Sequence, residues 1–200
     1  MKQVTKVFEV YRYEELSGHA KSKASSCVSE YMTDCDDFTN RCEFELARIF
    51  PNSVLNVEYQ LDHCQGDYFN FYGGIDLNDI LNRVIGKLTE KQIKVFRHII
   101  KSWKDTHTIY RKRVFYDYNN ANNCNIFEGV IRDMEYYGYR DIPEKDIVAI
   151  ADIAGQFLGD VCAQLMKDGY NYFYPDESEI EMFCSENEWY FTIDGTPYFD

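Results

Sequence analysis

One stretch in the second half of the chain makes the largest demand on the fold. Pro143 suits the first turn of a helix, and the pattern behind it stays amphipathic to about Asp168, with Gly169 placed to cap it. Ile147, Ile150, Ala154, Phe157, Val161 and Leu165 recur on one face, so a long apolar stripe must be buried against another layer. Ala151, Gly155, Gly159 and Ala163 recur every four residues and let a second backbone approach closely. In a chain with no run of roughly 20 apolar residues, that ladder reads as internal packing rather than a membrane or dimer seam.

The other segments supply candidates for that layer. Gln3 to Tyr13 alternates like a first strand. Ser53 to Leu61 and Tyr68 to Tyr72 are rich in β-branched and aromatic residues, with Gln65, Gly66 and Asp67 between them; they read as a hairpin closed by Gly73 and Gly74. Asp105 to Tyr118 is strand-like, and Asn119 to Asn125, with five asparagines in seven residues, reads as a loop. Trp189 to Ile193, Asp194-Gly195 and Thr196 to Phe199 form a terminal hairpin signal.

Helix starts are equally marked. Ser17 can cap a helix through Ala20, Ala24, Val28 and Tyr31, and Asp36 and Asp37 a second, with Phe38, Cys42, Leu46 and Ile49 on one face before Pro51. Asp76 can cap a short helix through Ile80 and Val84. Thr89 with Gln92, and Asp176 with Glu179, are capping-box patterns. The first opens a helix with Ile93, Phe96, Ile99, Ile100 and Trp103 in a stripe; the second opens a short acidic helix carrying Ile180, Phe183 and Cys184. Because strands and helices are grouped rather than alternating, the expected class is α+β. The expectation is one domain over 1–200, an antiparallel sheet packed with several helices, one long helix near 143–168 and a C-terminal hairpin.

Charge narrows the partners. The formal net charge of the 200 residues is -13, which argues against a general nucleic-acid coat and against anionic membranes. The signs are segregated: residues 24–82 carry 2 basic and 11 acidic groups, 83–116 carry 10 and 2, and 168–200 carry none and 9. Such a chain either neutralises its basic block internally or presents opposite faces to a charged complex. Seven cysteines, an odd number without close pairs, read as reduced thiols of a cytosolic protein.

Three stretches resemble a group of small proteins encoded by phages and prophages. The first is Val10-Tyr11-Arg12-Tyr13-Glu14-Glu15-Leu16-Ser17 followed by Ala20-Lys21 and Ala24. The second is Val57 to Leu61 leading into Gln65-Gly66-Asp67 and Phe71-Tyr72-Gly73, with Tyr68 where the group usually has glycine. The third runs from Leu165 to Gly169-Tyr170, then Asp176-Glu177 through Asn187 to Thr192 and Asp194-Gly195. The resemblance implies a viral or mobile-element origin, the host cytoplasm and an α+β fold, and it transfers no catalytic residue.

Chemistry finds no anchor in the sequence. His63-Cys64 pairs a thiol with an imidazole, but neighbours on a strand point to opposite faces, so a base would have to come from His19, His98 or His107. Cys27, Cys35 and Cys42 are eight and seven residues apart, unlike zinc knuckles. The carboxylate pairs Asp76 and Asp79, Asp36 and Asp37, and Asp176 and Glu177 each sit at a helix start, where capping accounts for them. The expectation is therefore a non-enzyme with no catalytic residue, no metal and no cofactor.

Two binding faces remain. Asp176, Glu177, Glu179, Glu181, Glu186 and Glu188 with Trp189 and Tyr190 form an acidic, aromatic segment, with Tyr170, Tyr172, Tyr174 and Tyr198 nearby in sequence. Carboxylates so arranged can satisfy the lysines and arginines of a nucleic-acid groove. With the phage resemblance, the expected activity is stoichiometric inhibition of a host defence nuclease complex of the anti-CRISPR type. The expected partner is a host defence protein or ribonucleoprotein, a CRISPR effector being the most specific case. The alternative is a nucleic-acid-binding or replication-accessory protein that uses Lys87, Lys91, Lys94, Lys101, Lys104, Arg111 and Arg113. Contact with guide RNA or DNA would fall on that patch. No membrane partner is expected, and the chain would act as a monomer or homodimer.

Overall fold

The computed structural model describes residues 7, 9–64, 66–102, 108–111 and 143–199. Along the chain these form α1 (Gly18–Met32), α2 (Cys35–Ile49), β1 (Val54–Gln60), β2 (Tyr68–Asp76), α3 (Leu77–Val84), α4 (Glu90–Ser102) and β3 (Thr108–Arg111). They continue with α5 (Glu144–Phe173), α6 (Glu177–Glu186), β4 (Tyr190–Phe191) and β5 (Pro197–Tyr198). The class is α+β: an antiparallel sheet in the order β1-β2-β3, a separate β4-β5 hairpin and helices that carry most of the described residues.

Two compact units are distinguished, 1–38 with 170–200 (unit 1) and 39–169 (unit 2). In unit 2, β2 buries Phe69, Phe71 and Ile75 fully on one face, and Asn70 on the other face is buried as well. Tyr59 pairs with Phe69 across the β1-β2 ladder, and their rings stack at 5.9 Å, 5° from parallel. Phe50, the residue after α2, packs its ring against Phe71 and Phe157, 5.9 Å from each. Arg83 ends α2 by donating to the Arg48 and Ile49 carbonyls at 2.8 and 3.0 Å, satisfying groups a helix leaves free at its C-terminus.

Gly73 and Gly74 do not close the hairpin. Both lie inside β2, which continues to Asp76 and pairs with β3 through Gly73↔Arg111 to Asp76↔Thr108. Gly73 has φ +134, and a Cβ there would lie 2.2 Å from the Val54 carbonyl oxygen, so the glycine serves a close strand approach rather than a turn.

The long helix also runs past its expected cap. Gly169 is buried inside α5, which continues to Phe173 because Tyr172 and Phe173 have an aromatic partner: Phe38 lies 5.3 Å from the Tyr172 ring and 5.1 Å from Phe173. Its buried face is wider than the single stripe, taking in Leu158, Cys162 and Met166, and both ladder glycines, Gly155 and Gly159, are buried. Among the described residues no helix is long and apolar enough to cross a membrane.

Unit 1 holds a core of Tyr13, Leu16, Ala20, Ala24, Val28, Ile180, Cys184 and Phe191. Of the expected first strand, Tyr11 makes a single antiparallel bridge to Phe191, with reciprocal N–H to O bonds of 2.8 Å, and Tyr13–Glu15 turns into a 3₁₀ helix. Residues 3–6 and 8 of that strand, residues 112–118 and the asparagine loop lie outside the described residues. The second helix is capped two residues earlier than expected: Asp34 Oδ1 accepts the Asp36 and Asp37 N–H groups at 2.7 and 3.1 Å, leaving Asp36 and Asp37 in the first turn.

Candidate functional site

The acidic segment is built from the two ends of α6 and the hairpin behind it. Asp176 and Glu179 form the expected capping box: Asp176 Oδ1 accepts the Glu179 N–H at 3.0 Å, and Glu179 Oε2 accepts the Asp176 N–H at 2.9 Å. Ser178 Oγ donates a further bond of 2.6 Å to Asp176, and these donors hold its carboxyl below the usual range. Glu177 pairs with Lys21 at 3.1 Å, which raises the lysine's pKa. Of the carboxylates assigned to partner binding, Asp176 and Glu179 therefore serve the helix's own cap and Glu177 ties it to α1.

Glu181, Glu186 and Glu188 are exposed and engaged in no ion pair among the described residues. Glu188 has an unusual backbone. It lies at φ +53, the left-handed region, while its N–H reaches the Ser185 carbonyl at 3.4 Å and the Trp189 N–H donates to the Cys184 carbonyl at 2.9 Å. That bonding is a Schellman ending, in which glycine normally takes the left-handed place. The accompanying apolar contact is present too, with the Trp189 ring 5.8 Å from Phe183.

The hairpin turn is fixed against α1. Asp194 accepts from Lys23 Nζ at 2.6 Å and from the Thr192 and Thr196 hydroxyls at 2.6 and 3.0 Å, which together hold its carboxyl far below the usual range. Gly195 has φ +83, and a Cβ there would stand 2.1 Å from the Ala20 carbonyl oxygen. Only glycine fits.

Beside these carboxylates lies an aromatic cluster. Trp189, half-buried, meets Tyr31 and Phe199 edge-on at 5.0 and 5.1 Å, and those two rings remain 66% and 60% exposed. Exposed large aromatics of this kind are the usual anchors of a protein interface. Next to them Arg12, Glu14, Ser185, Glu188 and Tyr190 line a cavity of about 160 Å³. Tyr172, by contrast, is occupied: its hydroxyl accepts the Asp34 N–H at 3.0 Å and lies 3.1 Å from Asp37 Oδ2.

The basic residues belong to unit 2. Lys87, Lys91, Lys94 and Lys101 are exposed, and Lys91 Nζ lies 2.7 Å from the buried Asp146 carboxylate, a charge contact rather than a directed hydrogen bond. Arg111 is in β3 opposite Gly73, while Lys104 and Arg113 lie outside the described residues. Arg97, not among the basic residues expected from the sequence, is exposed on α4 one turn from both Lys94 and Lys101. Its three-residue spacing from Lys94 was the available signal.

The catalytic candidates resolve into structure. Cys64 is exposed, but its Sγ donates to Asp67 Oδ1 at 2.9 Å, and the carboxylate raises the thiol's pKa, disfavouring thiolate. Asp67 also accepts the Asp62 N–H at 3.0 Å, so it shapes the loop. Asp76 caps α3 through the Asn78 N–H at 2.7 Å, whereas Asp79 is buried and accepts from Asn52 and Ser53. Among the described residues no group of three or more His, Cys, Asp or Glu side chains is placed to hold a metal. Cys42 is buried, which pushes its thiol up to about 12. Comparison with protein-family models, with curated proteins and with solved structures finds no match to this chain.

Proposed function

We propose that the protein is a stoichiometric binding protein whose unit 1 offers an acidic, aromatic-bearing face to the cationic nucleic-acid groove of a protein partner. The observation that carries this reading is where the charge sits. Unit 1 contains 15 acidic against 5 basic residues, net -10, while unit 2 contains 19 against 16, net -3. Two of unit 1's five cations, Lys21 and Lys23, are already tied to Glu177 and Asp194. Glu181, Glu186 and Glu188 are left to face outward with Tyr31, Trp189 and Phe199 as anchors, and lysine- or arginine-lined grooves complement such a surface. With the phage-like motifs, the reading extends to a host defence nuclease complex in the host cytoplasm, of which a CRISPR effector is the most specific case.

The test is affinity capture from defence-expressing host cells, with and without nuclease treatment, using the full chain and the variant Glu181→Lys/Glu186→Lys/Glu188→Lys. A protein partner retained after nuclease treatment and lost with the variant is the expected result. Retention by the variant equal to that of the original chain would refute this face as the binding site. Asp176, Glu177 and Glu179 are unsuitable for that test because their replacement disturbs the α6 cap and the Lys21 pair.

A further inference from the structure

We propose that the exposed face of α4 carrying Lys94, Arg97 and Lys101 binds the phosphodiester backbone of a nucleic acid. It involves other residues, another unit and another ligand than the acidic face, so each reading stands or falls alone. The helix is a fixed frame. Phe96, Ile99 and Ile100 are buried on its inner side, and at its start Gln92 Oε1 accepts the Thr89 N–H at 2.8 Å while Thr89 Oγ1 accepts the Gln92 N–H at 3.3 Å. Spacings of three and four residues set the three cations on one face. From Lys94 to Lys101 the helix rises about 10.5 Å. One strand of a duplex advances about 3.4 Å of axis per phosphate, so the stripe matches about three successive phosphates.

These cations are also available. Lys94, Arg97 and Lys101 are exposed, and none enters an ion pair or hydrogen bond among the described residues, whereas Lys91 is held by Asp146. Glu90, in the first turn, is the one acidic residue of the helix. The ligand class follows from what this face lacks. α4 exposes no large hydrophobic side chain, so it offers neither the aromatic anchors of a protein interface nor an apolar side to enter a lipid headgroup layer. A bare row of cations is the arrangement that positions a phosphate backbone without reading bases. Unit 2's net charge of -3 opposes a polyanion far less than the chain's -13 would suggest.

Fluorescence anisotropy of the full chain tests this, with a labelled DNA duplex of about 20 base pairs, sized to exceed the stripe of about three phosphates, and the matching single-stranded RNA. Three neutralised phosphates give a slope of about -2.7 in log K against log salt, or about 40-fold weaker duplex binding at 200 mM than at 50 mM salt. Lys94→Gln/Arg97→Gln/Lys101→Gln should abolish binding with the circular dichroism spectrum unchanged. Should that variant fail to fold, Arg97→Gln alone decides, by lowering the slope magnitude by about 0.9. No binding at 50 mM salt, salt-insensitive binding, or a folded triple variant that binds like the original chain would overturn the proposal. Polyglutamate that competes as well as the nucleic acid would also overturn it, reassigning the stripe to acidic peptides.

Discussion

Lys23 Nζ stands 2.6 Å from Asp194 Oδ2, joining α1 to the turn of the C-terminal hairpin. The same lysine donates to Thr196 Oγ1 at 2.7 Å, so one cation organises most of the turn. The acidic segment is thus partly an internal counter-charge and partly an outward face, and the difference is readable residue by residue.

That relationship has a pH signature. Asp194, and to a lesser degree Asp176, hold carboxyls depressed below their ordinary values by the donors around them. A depressed folded pKa contributes stability that is present above the unfolded value, about 3.9, and is lost as pH falls through the folded one. Asp194→Asn should therefore lower Tm at neutral pH, and the gap from the original chain should close progressively below about pH 4. Thermal melts followed by Trp189 fluorescence in a Trp103→Phe background would show it. A gap independent of pH between 2.5 and 7 would contradict the assignment.

Thiol reactivity separates Cys64 from a nucleophile. Cys64 is exposed, but its thiol donates to the Asp67 carboxylate, which raises its pKa. Burial raises Cys42 to about 12 and Cys184 to about 11. In the folded chain at pH 8, alkylation mapped by mass spectrometry should proceed at Cys64 more slowly than at glutathione under the same conditions, with Cys42 and Cys184 protected. Cys64 reacting faster than glutathione would reopen the catalytic reading.

The carboxylate pair at α3 is a structural device with a measurable cost. Asp79, 2% exposed, accepts the Asn52 N–H at 2.9 Å, Asn52 Nδ2 at 2.8 Å and Ser53 Oγ at 2.9 Å, while Ser53 Oγ accepts the Asp76 N–H at 2.9 Å. Asp79→Ala removes three hydrogen bonds to a buried carboxylate and should cost on the order of 3 kcal/mol in urea denaturation. Asp79→Asn, which keeps one acceptor oxygen, should cost less. Equal stability of all three chains would mean that the network contributes nothing.

What the sequence disclosed follows from range. Capping boxes at Thr89 and Asp176, the turn of the β1-β2 hairpin and the Asp194-Gly195 turn depend on residues a few positions apart, and each is present in the structure. The extension of α5 past Gly169 was not legible, because it depends on Phe38, more than a hundred residues away, stacking on Tyr172. The same limit hid the division of charge. Linear segments showed acidic arms around a basic block, but only the chain's folding joins residues 1–38 to 170–200 and puts 15 of the 34 acidic residues in one unit. Nor could sequence distinguish Glu177, paired with Lys21, from Glu181, which faces solvent.

Glu188 brings stability and the proposed function into opposition. Its left-handed φ of +53 is a place where glycine carries no side-chain penalty, and a non-glycine residue costs about 1–2 kcal/mol. Some of that returns through the unfolded chain, since glycine has more freedom to lose, so Glu188→Gly should stabilise by roughly 1 kcal/mol or slightly less. The same change removes a carboxylate beside Trp189 and Tyr190 from the face proposed to meet a cationic partner. The expected result is a higher urea midpoint together with weaker retention of that partner in the capture experiment. A gain in stability with undiminished capture would separate the strained residue from binding. A loss of stability would instead show that the Glu188 side chain makes a compensating contribution to the α6 ending.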